Sequence, residues 1–210
     1  SDADFIEALV AMTAPPDRGW WEKYRGLLPA VLLDLAELEH HARCLRSFQV
    51  VHIPGLLQTE AYTRAIFAQS AATLSEEEVE ANVQFRRRRR EALAGRQSPV
   101  FVTLHEAALR MKVADRRVMR GQLEFMLATS DNPAMSLKVV PFSAERFTGA
   151  GFSMHYMEGV VRQLDTAQFD TVLGSIFVDA ESELADYRRL LDRIDKLDLS
   201  ETASSDLIKE

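Results

Sequence analysis

Five consecutive arginines, Arg86 to Arg90, are the most conspicuous chemical feature of this sequence. Read linearly, such a run suggests contact with DNA or RNA phosphates. On a helix it reads differently, because five successive residues sweep more than a full turn and cannot form one solvent-facing patch. Val79, Val83, Arg86, Arg90 and Leu93 share one heptad-like stripe, so Arg86 and Arg90 are expected to be partly buried beside apolar neighbours. An unpaired buried charge is costly. Glu39, Glu106, Glu158 and Asp165, each in or beside an apolar segment, are the candidate partners. Three readings stay open: a structural ion-pair network, a pocket gripping an anionic ligand through bidentate guanidinium contacts, or nucleic-acid contact by Arg88 and Arg89 on the outer face.

Other reactive side chains are less organised. His40 and Cys44 stand four apart and could reach one metal if both lay on a helix, but no HExxH or paired CxxC accompanies them. His52, His105 and His155 fall singly on expected strands or their ends. No GxSxG elbow frames a serine, and no GxGxxG or GxxxxGK[ST] stretch cradles phosphates. Glu106 and Asp165 are the best acid/base candidates, and pairing with arginine is the simpler role for both. No catalytic residue, metal or cofactor is therefore assigned.

These groups must be positioned by elements, and Ser47–Gln69 is the most informative stretch. Its β-branched run, 48–53, predicts a strand. Pro54-Gly55 predicts a turn, and Thr59 with Glu60 predicts the capped start of a helix through Tyr62, Ala65 and Ile66. Upstream, residues 4–12 predict a short helix, Ala14 to Asp17 a linker, Trp20, Trp21 and Tyr24 an aromatic cluster, and Pro29 the first turn of a helix reaching about Cys44. Downstream, Ser75 and Glu78 form a capping box for a helix over 76–94. A strand follows at 100–104, then a helical turn at 106–111, and Asp115 or Arg116 opens a helix to about Thr129. Strands are expected at 136–140, 152–157, 160–164 across a Glu158-Gly159 hairpin, and 171–178. Helices over 180–197 and after Ser200 close the chain.

The IPGLLQTEAYTRA segment resembles the signature of a domain of unknown function, numbered 5753, that follows the helix-turn-helix in Xre-type actinobacterial regulators. Gly19-Trp20-Trp21, Leu38-Glu39 with Ala42, Arg87 with Arg90, Glu106 to Leu109, Gln122-Leu123, Val140-Pro141, Gly151-Phe152, Tyr187, Leu199, Ser204 and Ile208 follow in the expected order. Glu91 stands where the family usually has Gln, and the helix-turn-helix is not in this sequence. The resemblance implies an effector-sensing or partner-binding and dimerisation domain, with DNA touched only through the preceding domain. A small partner protein is as compatible with it as a small-molecule effector.

Composition sets limits. With 47% hydrophobic and 27% charged residues the chain can bury a real core. No apolar run approaches the ~18 residues needed to span a bilayer. A single cysteine excludes an internal disulfide and fits a cytoplasmic setting. Net charge of −7 argues against the whole surface binding nucleic acid. The expected class is α+β, with N-terminal helices packed on an antiparallel sheet and closed by C-terminal helices: residues 1–17 as helix and linker, 18–210 as one effector or partner-binding domain. Trp20, Trp21, Gln58, Tyr62, Arg86, Arg90 and Glu106 are the residues expected to line its pocket, in a hollow between the PGLLQT turn, the arginine helix and the C-terminal sheet. The competing reading is a standalone enzyme using the same hollow.

Overall fold

Six strands carry the fold: β1 Cys44–Gln49, β2 Val100–His105, β3 Met135–Val140, β4 Met154–Glu158, β5 Thr166–Thr171 and β6 Gly174–Val178. They form one sheet in the order β3-β2-β1-β4-β5-β6 in the computed structural model, which describes residues 2–12, 19–69, 74–95, 98–147, 152–171 and 174–210. The helices are α1 Asp2–Met12, α2 Ala30–His41, α3 Glu60–Ala68, α4 Glu76–Ala94, α5 Glu106–Arg110, α6 Arg116–Thr129, α7 Glu181–Ile194 and α8 Glu201–Lys209. The α+β class holds, with helices flanking the sheet. The sheet itself is mixed: β1, β2 and β3 pair in parallel, while β1-β4, β4-β5 and β5-β6 are antiparallel. Helical crossovers join the parallel strands, which a hairpin cannot do. The linker expected at 14–17 lies outside the described residues, as does Gly151.

Local signals placed the helix starts. Thr59 accepts from the Tyr62 amide at 3.2 Å, Ser75 and Glu78 complete their capping box, and Asp115 and Ser200 cap α6 and α8. Long-range pairing moved the strands. The first strand is 44–49 rather than 48–53, because its partners on β2 and β4 align with those residues; the β propensity of Val50, Val51 and Ile53 yields to that register. Consequently α2 stops at His41 and Cys44 is a strand residue, so His40 and Cys44 share no helix face. The hairpin expected across Glu158-Gly159 is a wider loop. Asp165 accepts from the Gly159 amide at 3.0 Å and from the Tyr156 hydroxyl at 2.7 Å, Arg162–Leu164 forms a 3-10 turn, and β4 pairs with β5. Gly174 opens β6 opposite Thr171 at φ 119, a conformation that favours glycine.

One face of the sheet presents Leu45, Val100, Val102, Leu104, Leu137, Val139 and Met157 to Leu35, Tyr62, Leu93, Met126 and Ile208 from the helices. The other packs Phe48, Met154, Tyr156, Ala167 and Phe169 on Leu184, Leu191 and Ile194 of α7. Trp21, Tyr24, Leu33 and Phe85 form a third cluster between the 3-10 helix Trp20–Tyr24, α2 and α4. No helix of the described residues is long and apolar enough to cross a membrane. The chain lays β2 and β3 on one side of β1, then returns to build β4 to β6 on the other. The carboxyl end of β1 therefore lies at the boundary between the parallel and antiparallel halves of the sheet. The Ile53-Pro54-Gly55-Leu56-Leu57-Gln58-Thr59 segment follows immediately.

Candidate ligand site beneath the arginine helix

Pro54 and Gly55 start a 3-10 turn, Gly55–Leu57, that sinks Leu56 and Leu57 into the core and leaves the Gln58 side chain buried. Gln58 Nε2 donates to the Ile53 carbonyl at 2.7 Å, and its Oε1 accepts from Thr63 Oγ1 at 3.2 Å and from Arg86 Nη1. Its backbone carbonyl accepts from Arg90 Nη1 at 2.5 Å. On the opposite side, fully buried Gln122 accepts from the Thr59 amide at 2.7 Å and donates to the Leu57 carbonyl at 2.6 Å. A Cβ at Gly55 would stand 3.4 Å from Arg89 Nη1 and 3.7 Å from Arg86 Nε, ordinary contact distances that show how closely the turn lies against the arginine helix. The motif is a clamp on α4.

The five arginines separate by face. Arg87 and Arg88 are exposed and pair with Glu60 and Glu91. Arg89, expected on the outer face, is buried, and makes a two-pronged pair with Glu39 at 2.5 Å on each arm. Arg86 and Arg90, expected to find carboxylates, have none in ion-pair range among the described residues. Each instead lies over a phenyl ring 4.8 Å away, Phe67 for Arg86 and Phe125 for Arg90, an arrangement that stabilises a cation without neutralising it. Burial, with Arg89 nearby, holds the Arg86 guanidinium down to about 10, against the opposing pull of Asp170 and Tyr62; it remains charged at neutral pH. Arg90 is lowered as well, chiefly by burial. The helix runs between two neighbours, so the single-stripe reading misplaced Arg89.

Tyr62 is fully buried, and its hydroxyl makes no hydrogen bond of acceptable geometry. Burial raises its pKa, while the Ile53 amide and the Arg86 charge act against that rise. Below the arginines, the β1-β4-β5 half of the sheet is polar. Ser47, His155 and Gln168 stand side by side across three strands, with Gln49 and Asp170 nearer the carboxyl end. Gln49 Nε2 lies 3.3 Å from His155 Nε2; an amide nitrogen can only donate, so His155 accepts there and carries its proton on Nδ1. That Nδ1 and the Oε1 of Gln168 are buried without partners. Burial first, and Arg89 second, push His155 down to about 4, with Glu39 and Asp170 opposing. Gln168 Nε2 and Ser175 Oγ both donate to Asp170, at 2.7 and 2.6 Å.

This arrangement decides which expected site residues belong together. Gln58, Tyr62, Arg86 and Arg90 meet at the turn. Trp20 and Trp21 do not: Trp21 packs against Trp20, His40 and His41, and Trp20 packs on Phe85 at 5.2 Å. The cavity lined by Trp20, Ala36, Glu39, His40, Arg89, Ala92 and Leu93 measures about 10 Å³, room for one water at most. Glu106 also stands apart. It accepts from Arg110 Nε at 2.5 Å and from the Phe142 amide at 2.7 Å, which together outweigh burial and lower its pKa. Asp165 is engaged by Tyr156, Gly159 and Arg188. Neither carboxylate is free for acid/base work.

The family described as Domain of unknown function (DUF5753) matches residues 32–210. The chain belongs to this family. No curated protein and no solved structure matches it. The DUF5753 span takes in the clamp, the arginine helix and the polar half of the sheet, and begins after Trp20 and Trp21. Sequence reasoning placed Arg89 only as an outer-face nucleic-acid contact, left His155 as an isolated histidine, and passed over Gln168 and Asp170 as site residues. Only the run of polar residues at alternate positions in β5, Thr166, Gln168 and Asp170, hinted that this strand faces something other than an aliphatic core.

Proposed function

We propose that this DUF5753 domain is the effector-sensing, dimerising part of a cytoplasmic helix-turn-helix regulator, and that its effector carries an anionic group gripped by Arg86 and Arg90. The observation that supports this is the charge balance at the clamp. Two guanidinium groups one helical turn apart are fixed by Gln58 and by phenyl platforms, and neither has a carboxylate in ion-pair range among the described residues. A purely structural arginine in such surroundings recruits an acid, as Arg89 does with Glu39. Fixed, under-neutralised guanidinium groups match carboxylate or phosphate oxygens. Isothermal titration with inorganic phosphate, citrate and succinate tests the reading. Binding to the wild type that weakens at least tenfold in Arg86→Gln, with the thermal midpoint preserved, is the expected result. No binding of any of these anions, or equal binding by Arg86→Gln, overturns it.

A further inference from the structure

The two edges of the sheet are finished differently. Along β3, the outer edge is closed by the C-terminal segment. The Leu199 amide donates to the Val139 carbonyl at 2.8 Å, and the Val139 amide donates to Ser204 Oγ at 3.0 Å. Ser136 Oγ bonds Glu201 at 2.5 Å, and Lys138 pairs with Asp198 at 3.3 Å. The opposite edge, β6, pairs only with β5 among the described residues. None of its five residues is buried, and Ile176 is 50% exposed.

An open edge presents free backbone donors and acceptors, and soluble proteins guard it with charge, proline, a bulge or a cover. Gly174-Ser175-Ile176-Phe177-Val178 has no charge and no proline, and its register with β5 is unbroken over all five residues. We propose that β6 pairs antiparallel with β6 of a second copy of this chain, about a two-fold axis through Ile176, joining two six-stranded sheets into one. The strand is self-complementary in that register. Ile176 meets its own copy, Ser175 meets Phe177, and Gly174 meets Val178, so each side chain faces an uncharged one.

The pairing also bears on the site. Ser175 and Phe177 lie opposite Asp170 and Gln168, so the second copy's strand continues the polar half of the sheet beneath the arginines. The inference supplies the surface for the dimer in the proposed sensor, but it rests on the sheet edges and not on anion binding.

Sedimentation velocity over a concentration series tests it. The wild type is expected to shift from monomer to dimer. Ile176→Lys sets like charges directly opposite each other and is expected to stay monomeric, with unchanged circular dichroism. Ile176→Cys is expected to form a cross-linked dimer on mild oxidation, since facing residues in such a pair approach disulfide range and the native Cys44 is buried. A wild type that is monomeric throughout, a dimer that persists in Ile176→Lys, or an Ile176→Cys protein that does not cross-link overturns the proposal.

Discussion

Arg89 and Glu39 form the most deeply buried charge pair at the site, 6% and 2% exposed. Both arms of the guanidinium are used, and the nearby carboxylate keeps Arg89 charged despite its burial. The consequence of breaking such a pair is asymmetric. Glu39→Ala leaves a guanidinium in the core without a counter-charge, and a loss of about 3–5 kcal/mol in urea unfolding is expected. Removing both charges together, Glu39→Leu with Arg89→Met, is expected to recover most of that loss, because the desolvation cost disappears with the ions. Equal losses in the single and double variants would mean that packing around Trp20 and Leu93, rather than charge, holds α2 on α4.

At the scale of elements, the PGLLQT turn and α4 act as one unit joined by Gln58. Gln58→Ala removes the donor to Ile53 and the acceptor for Thr63 and Arg86, and a loss of roughly 2–3 kcal/mol in urea unfolding is expected from these buried hydrogen bonds. Much of this unit was legible in the sequence. The caps at Thr59 and Ser75 are written within three residues of the helices they start, and the Pro-Gly break is local too. What was not legible depends on partners distant in sequence. The register of β1 depends on β2 and β4, and the burial of Arg89 depends on α2 standing opposite the face that also carries Phe85. His155 looked isolated because Ser47 and Gln168, its neighbours in space, lie over a hundred residues upstream and on the next strand. Trp20 and Trp21 are obvious in the sequence, yet the same distance argument puts them in the wrong place: their partners are Phe85 and the two histidines.

Across the whole molecule, one face of the sheet changes from aliphatic at β2-β3 to polar at β4-β5, and acid stability follows from that seam. His155 is near 4 in the folded chain and near 6.5 when unfolded. Between these values the unfolded chain binds the extra proton, so stability falls as pH drops through that window and levels off below it. The groups that act on His155 are Arg89 from α4, Glu39 from α2 and Asp170 from β5. Because Glu39 is engaged by both arms of Arg89, the imidazole meets a buried cation rather than a free carboxylate. The expected loss between pH 7.5 and pH 4 is on the order of 3 kcal/mol, measured by urea unfolding at intervals of pH. His155→Gln keeps a polar side chain there without the titration, so it is expected to lose much less stability than the wild type from pH 7.5 to about 5, the remainder coming from His105, whose pKa burial also lowers. If the wild type and His155→Gln decline in parallel between pH 7 and 5, another group carries the acid sensitivity, and the polar seam is more open to water than the burial of His155 implies.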